Sequence, residues 1–376
     1  MGLGSSAILG GGALALEASA ETLGVALPGQ DKWLGGALGS DGKVYGIPGS
    51  AKAVLKVDPL SGHVSTIGGQ LEGKFKWLRG ILAGDDCIYG IPACAAAVLK
   101  ITPATGEVTT IGPSFEGKWL WHGGVLAGNG NIYGIPCNAE AVLKISPATG
   151  EVTTIGGPLP GHQKWYGGLL GNDGAIYGIP NCAESVLKIV PSTGEVTTIG
   201  PRFPLGGWKW HGGVVGDDGV IYGTPAHTDS VLKIVPATGE VKTIGGPLDS
   251  GEYRPNGKFK WGGGISVPGS VYFFPSDADH VLKVDVATEE VTCIGRAFVG
   301  PHNKWQNGFL GRDGQVYAIP CNAESVLRIT PATDEVTTVG GPWSGTDKWE
   351  GGVVAGDGAM YCMPQRAKLV MRILPP

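Results

Sequence analysis

Three stretches of this chain set an amide two or three residues ahead of a carboxylate: Asn138-Ala139-Glu140, Asn181-Cys182-Ala183-Glu184 and Asn322-Ala323-Glu324. Each belongs to a repeated unit. Most of these units open with a Lys-Trp pair, whose lysines are Lys32, Lys76, Lys164, Lys209, Lys260, Lys304 and Lys348. Amide, acid, ammonium and aromatic face together would suit the hydroxyl groups and apolar faces of a sugar, giving a ring of similar sites. A structural reading weighs more. A Trp at one fixed place in every unit is most simply a wedge burying ~150 to 250 Å², and Lys beside Glu is most simply a surface ion pair worth ~0 to 1 kcal/mol.

The tryptophans set the frame. Trp33, Trp77, Trp121, Trp165, Trp210, Trp261, Trp305 and Trp349 recur 44, 44, 44, 45, 51, 44 and 44 residues apart, and each is followed twelve residues later, once eleven, by Tyr. A period of this length, made of short apolar runs and Gly-rich turns, predicts an all-β, eight-bladed β-propeller with four-stranded antiparallel blades. In the third unit the predicted strands are Gly123 to Gly128, Ile132 to Pro136, Ala141 to Ile145 and Val152 to Ile155, with Asn129-Gly130 supplying a tight hairpin turn. The last unit stops after its third strand, and the segment Ser19 to Gly24 matches the fourth-strand sequence Glu335 to Gly340. The N-terminal strand is therefore expected to complete the last blade, leaving residues 1–18 as an apolar tail and residues 19–376 as one domain.

Among units this alike, departures carry the most information. The link between the fifth and sixth units is longer by about seven residues and includes Asp249, Glu252, Tyr253, Arg254 and Asn256, a composition suited to a contact with another molecule. His122 and His211 follow the Trp of the third and fifth units, with Tyr166 between them, and read as polar residues at the core edge. Cys94, Cys137, Cys182 and His227 share one loop position or its neighbour but sit in different blades, too far apart for one tetrahedral ion. The sixth unit is the most diverged, with Pro268-Gly269 at its hairpin and Ser276-Asp277-Ala278-Asp279-His280 in its loop.

Composition removes several classes. The net charge is −5 and the basic residues are scattered, which argues against nucleic acid. Seven cysteines in no knuckle pattern read mostly as free thiols. Residues 1–20 are apolar and end in Ala-Ser-Ala, resembling a weak export or lumenal signal without a basic start, so the cytosol and an organelle lumen both stay open. No run is long enough for a transmembrane helix. Nucleophile elbow, zinc-protease and phosphate-loop motifs are missing from the sequence, and the candidate acids recur by repeat instead of converging once on the channel. No cofactor and no metal are expected.

The run GxIYGIPxNAxxVLKIxPxTGEVTTIG, fullest at residues 132–156, 176–200 and 316–340, resembles uncharacterised multi-copy propeller repeats of unicellular algae. Its VLKIxPxTGEV portion is also similar to strand-turn-strand units of virginiamycin B lyase, NHL and quinoprotein-type propellers. The lyase's catalytic His and Glu have no matching positions here, nor do the quinoprotein's calcium and cofactor residues. These resemblances imply a rigid, non-enzymatic platform for protein partners in a larger assembly. A multivalent glycan-binding propeller is the alternative, and a metal-dependent lyase or lactonase the third reading.

Overall fold

A computed structural model describes residues 17–252 and 257–376. The apolar start of the chain and Tyr253, Arg254 and Asn256 of the long link lie outside the described residues. The described residues form eight four-stranded antiparallel sheets, each a meander running outward from the strand that begins with the repeated Trp. The propeller expected from the period is therefore present, with eight blades.

Strand bounds differ slightly from the sequence expectation. In the third blade they are Trp121–Leu126, Ile132–Pro136, Val142–Ser146 and Glu151–Ile155. The inner strand starts earlier because Trp121 already pairs with Pro136, after which a bulge shifts the register before Gly124. Every blade has this bulge. Its left-handed residue is glycine in six blades, but Arg79 (φ 59°) and Asn307 (φ 58°) in the second and seventh. The kink presents to the central channel the side chain that directly follows each Trp.

The second strands are wholly buried, and each carries its Tyr into the blade. A buried phenol needs a partner. Tyr45, Tyr177, Tyr222 and Tyr317 donate to the hairpin aspartates Asp41, Asp173, Asp218 and Asp313 at 2.7–3.0 Å, so the Asp-Gly turn supplies both a left-handed glycine and a hydrogen-bond acceptor. The third strands are buried apolar runs between neighbouring blades, and the fourth alternate toward solvent.

The lysines depart from expectation. Lys32, Lys76, Lys164, Lys209, Lys260, Lys304 and Lys348 are all buried. Lys76 Nζ donates to the carbonyls of Gly49, Ala51 and Gly73 at 2.8–3.1 Å, and Lys164 Nζ to those of Cys137, Ala139 and Gly161 at 2.9–3.1 Å. The ammonium groups of Lys32, Lys76, Lys164, Lys260 and Lys348 thus fasten their blades to the loop of the preceding one, and that of Lys209 holds the Pro204 and Gly206 carbonyls of the link into its own blade, so these lysines are neither surface ion pairs nor ligand groups. The Trp ring stacks as the expected wedge, its indole N–H donating to a carbonyl near the start of the third strand, as Trp121 does to Ala141 at 2.9 Å.

The ring closes as expected. Ser19–Leu23 pairs antiparallel with Val370–Leu374 over five residue pairs, and Arg372 Nε donates to Glu21 at 2.8 Å. Among the described residues this is the one sheet whose strands are not contiguous in sequence.

Candidate functional site: the channel mouth

The residue after each Trp forms a ring around the channel: Leu34, Leu78, His122, Tyr166, His211, Gly262, Gln306 and Glu350, all lining one central cavity of about 220 Å³. Around so repetitive a frame this ring has no repeat. Two leucines form an apolar sector. His122, Tyr166 and His211 form a continuous ring stack with centroids 3.5 and 3.7 Å apart, and Gln306 and Glu350 form a polar sector. Gly262 leaves a gap between the last two sectors.

Two residues before each Trp lies a second ring, at the face where the channel opens. Asp31, Phe75, Trp119, Gln163, Trp208, Phe259, Asn303 and Asp347 all have φ between 48° and 60°. Left-handed backbone is costly for bulky side chains, yet Phe and Trp occupy four of these eight places. Their side chains sort around the mouth. Phe75 meets Trp119 at 5.2 Å and Trp208 meets Phe259 at 5.5 Å, with Trp119 and Phe259 remaining 37% and 40% exposed. On the opposite arc, Arg366 bridges Asp31 at 3.4 Å and Asp347 at 3.2 Å.

Where Gly262 leaves its gap, the mouth deepens into a cavity of about 430 Å³. One wall is Tyr166, His211 and Phe259, and the other carries six planar carboxyl or amide groups: Asp277, Asn303, Gln306, Asp347, Glu350 and Gln365. The sixth blade's diverged loop supplies Asp277, which binds His302 Nδ1 at 2.5 Å and accepts the Asn303 N–H at 2.8 Å. Gln306 in turn donates to Asn303. Glu350 makes no hydrogen bond or ion pair with any described residue, and Gln365 Oε1 and His122 Nδ1 are buried without a partner.

The enclosure changes the titration of these groups. Burial raises the Glu350 carboxyl to about 7, opposed by the Arg79 guanidinium. Burial lowers His211 to about 3, helped by Arg79 and His227, and holds His122 well below its usual range. The ring stack is thus uncharged near neutral pH. The expectation that acids only recur by repeat is corrected here: Glu350 is a single acid at a place where the other blades carry Leu, His, Tyr, Gly or Gln.

The amide-acid loops are placed on the same face, but their hydrogen-bonding groups are engaged within the ring. Asn138 donates to the Lys118 carbonyl at 2.9 Å and accepts the Gln163 N–H at 2.7 Å; Asn322 does the same with His302 and Asp347 at 2.6 and 2.5 Å. These asparagines support the left-handed rim residue of the next blade. Asn181 is buried, with its amide 3.4 Å from the Trp210 carbonyl. Glu184 pairs with Arg202 at 3.0 Å, while Glu140 and Glu324 are exposed. Asp249 is exposed and accepts the Ser250 N–H at 2.6 Å, and Glu252 is exposed. The Ser250 carbonyl accepts the Asp279 N–H at 2.7 Å, so the long link leaves from the edge of the sixth blade's loop, beside the mouth.

No family model matches this sequence, and no curated protein matches it. Among solved structures the chain is similar to a streptogramin B lyase structure (TM-score 0.62, 16% identity, covering 95% of this chain and 97% of that one). It is also similar to virginiamycin B lyase from Staphylococcus aureus (TM-score 0.62, 14% identity, 96% and 100%). The extracellular domain of a putative hybrid two-component system from B. thetaiotaomicron is a further match (TM-score 0.54, 9% identity, 94% and 53%). Likeness at such identities defines the class as β-propeller, in keeping with the distant lyase-type resemblance, and extends to the fold alone.

Proposed function

We propose that this protein is a non-enzymatic interaction platform that takes a protein partner on the mouth face, at the junction of the fifth and sixth blades. The observation supporting this reading is the exposed aromatic group there: Phe259 packs edge-on against Trp208 and His227, the latter at 4.5 Å, beside the link that departs at Asp249. Aromatic side chains at the margin of a varied loop are the residue types that dominate protein interfaces. Near-identical blades offer no unique address, whereas this junction does.

The test is quantitative capture from the native source. Replacing residues 249–256 by the short connection of another blade, and separately Trp208→Ala, should abolish recovery of a specific protein. Leu60→Ala, in a fully exposed turn between outer strands, should not. Equal recovery by all three variants would place the interface elsewhere.

A further inference from the structure

We infer that the channel mouth is a pocket for one end of a neutral or amino-substituted saccharide, lying against His211 and Phe259 and hydrogen-bonded by Gln306, Glu350 and Gln365. This goes beyond the protein-platform reading and does not rest on it, because its hydrogen-bonding groups lie inside the mouth, although Phe259 borders both surfaces.

Three features of the cavity carry the inference. The first is the pairing of walls. A sugar ring has an apolar C–H face and an equatorial belt of hydroxyls, each both donor and acceptor. It is matched by an aromatic surface facing planar amides, which accept and donate at once, and carboxylates, which accept. At about 430 Å³ the cavity is within the span of small-ligand pockets.

The second is incomplete satisfaction. Gln365 Oε1 is buried without a partner, although buried polar atoms are almost always paired, and the half-buried Glu350 carboxyl faces the channel with no hydrogen bond to a described residue. A ligand hydroxyl, or an amine facing Glu350, would satisfy them. This is the opposite of the asparagine loops, whose amides are already engaged, so the chain has one site and not eight.

The third is charge and depth. No Lys or Arg lines the cavity among the described residues, three carboxyl groups do, and the nearby Arg366 is held by Asp31 and Asp347. An acidic sugar would bring its carboxylate against these groups. Below the mouth the channel continues as a smaller cavity of about 220 Å³ that contains Arg79. The mouth cavity, about twice the volume of the space beneath it, is sized for a terminal residue.

The experiment is calorimetric titration of the purified full chain with neutral mono- and disaccharides, with glucosamine and with glucuronate. At least one neutral or amino saccharide should saturate a single site per chain, with glucuronate weaker by about tenfold or more. Gln306→Ala should weaken binding by about tenfold, the scale of one lost hydrogen bond in a buried site, and Leu60→Ala should leave it unchanged. If Gln306→Ala does not fold, Phe259→Ala at the exposed rim is decisive, with a similar loss expected. No saturation by any of these sugars, several equal sites per chain, equal affinity for glucuronate, or unaltered binding in a folded Gln306→Ala or Phe259→Ala protein would each overturn the inference. Chemical conversion of a bound saccharide would instead overturn the non-enzymatic reading and leave this assignment standing.

Discussion

Tyr272 of the sixth blade donates its hydroxyl to Asp334 of the seventh, 2.6 Å away. Six other blades supply this tyrosine's acceptor from an aspartate of their own hairpin, and in the third Tyr133 accepts from Asn129 and donates to the Pro191 carbonyl, but the sixth has Pro268-Gly269 there and no acid. Asp334 also holds Lys283 at 2.6 Å. It stands where Gly150, Gly194 and Gly239 end the outer turns, and it keeps their left-handed backbone at φ 57°. Glu289, at the same turn position of the sixth blade (φ 60°), reaches back to Lys233 and Lys242 of the fifth. The most diverged blade is therefore stapled to both neighbours by side chains that replace glycine.

Asp334→Ala should destabilise the ring by about 2–3 kcal/mol, because it strips a buried phenol and an ammonium of a shared charged acceptor. Asp334→Gly loses the same bonds but relaxes the left-handed backbone, and should be milder by about 1 kcal/mol. Urea denaturation of the two variants checks the order. Equal losses would mean that the backbone strain is negligible.

Glu350 gives stability an unusual pH dependence. Its folded carboxyl titrates near 7 against an ordinary 4.5, so between these values the folded protein holds a proton that the unfolded chain has released. Its contribution is whole below about pH 4.5 and declines as pH rises through 7. Glu350→Gln should therefore be more stable than the natural protein at pH 8, by about 1–2 kcal/mol after allowance for residual solvent access, and nearly equal to it at pH 4.5. Melting curves of both proteins across this window test the sign.

Removing residues 1–28 should open the last sheet. The strand Val370–Leu374 would become an unprotected edge, and the truncated protein should melt earlier and self-associate. Sedimentation velocity and thermal melting together report the outcome. A monomer with unchanged melting would show that the closing strand contributes little.

The architecture was legible because its determinants are local and repeated: the Trp period, the Asp-Gly hairpins, and an end segment matching a missing strand. The site was not, for three physical reasons. Left-handed backbone is ordinarily marked by Gly or Asn, but at the rim it falls on Phe75, Trp119 and Phe259, which carry no such mark. Lysine is seldom buried, so Lys76 and Lys164 read as surface charge. Glu350 and Gln306 come together from different blades, and one signal for them was present. The residue after each Trp runs Leu, Leu, His, Tyr, His, Gly, Gln, Glu, while the positions around it repeat.

The seam between the first and last strands also orders events in time. Ser19–Leu23 is made before every other described strand, and its sheet partner among the described residues, Val370–Leu374, is made after all of them. At about 5–20 residues per second, the first strand waits on the order of tens of seconds for that partner. Seven blades can each finish from contiguous sequence during that interval, while the mouth, which draws on the first and the last blade, stays unassembled until Val370–Leu374 has emerged. A nascent chain would then carry nearly complete blades around an unformed channel mouth.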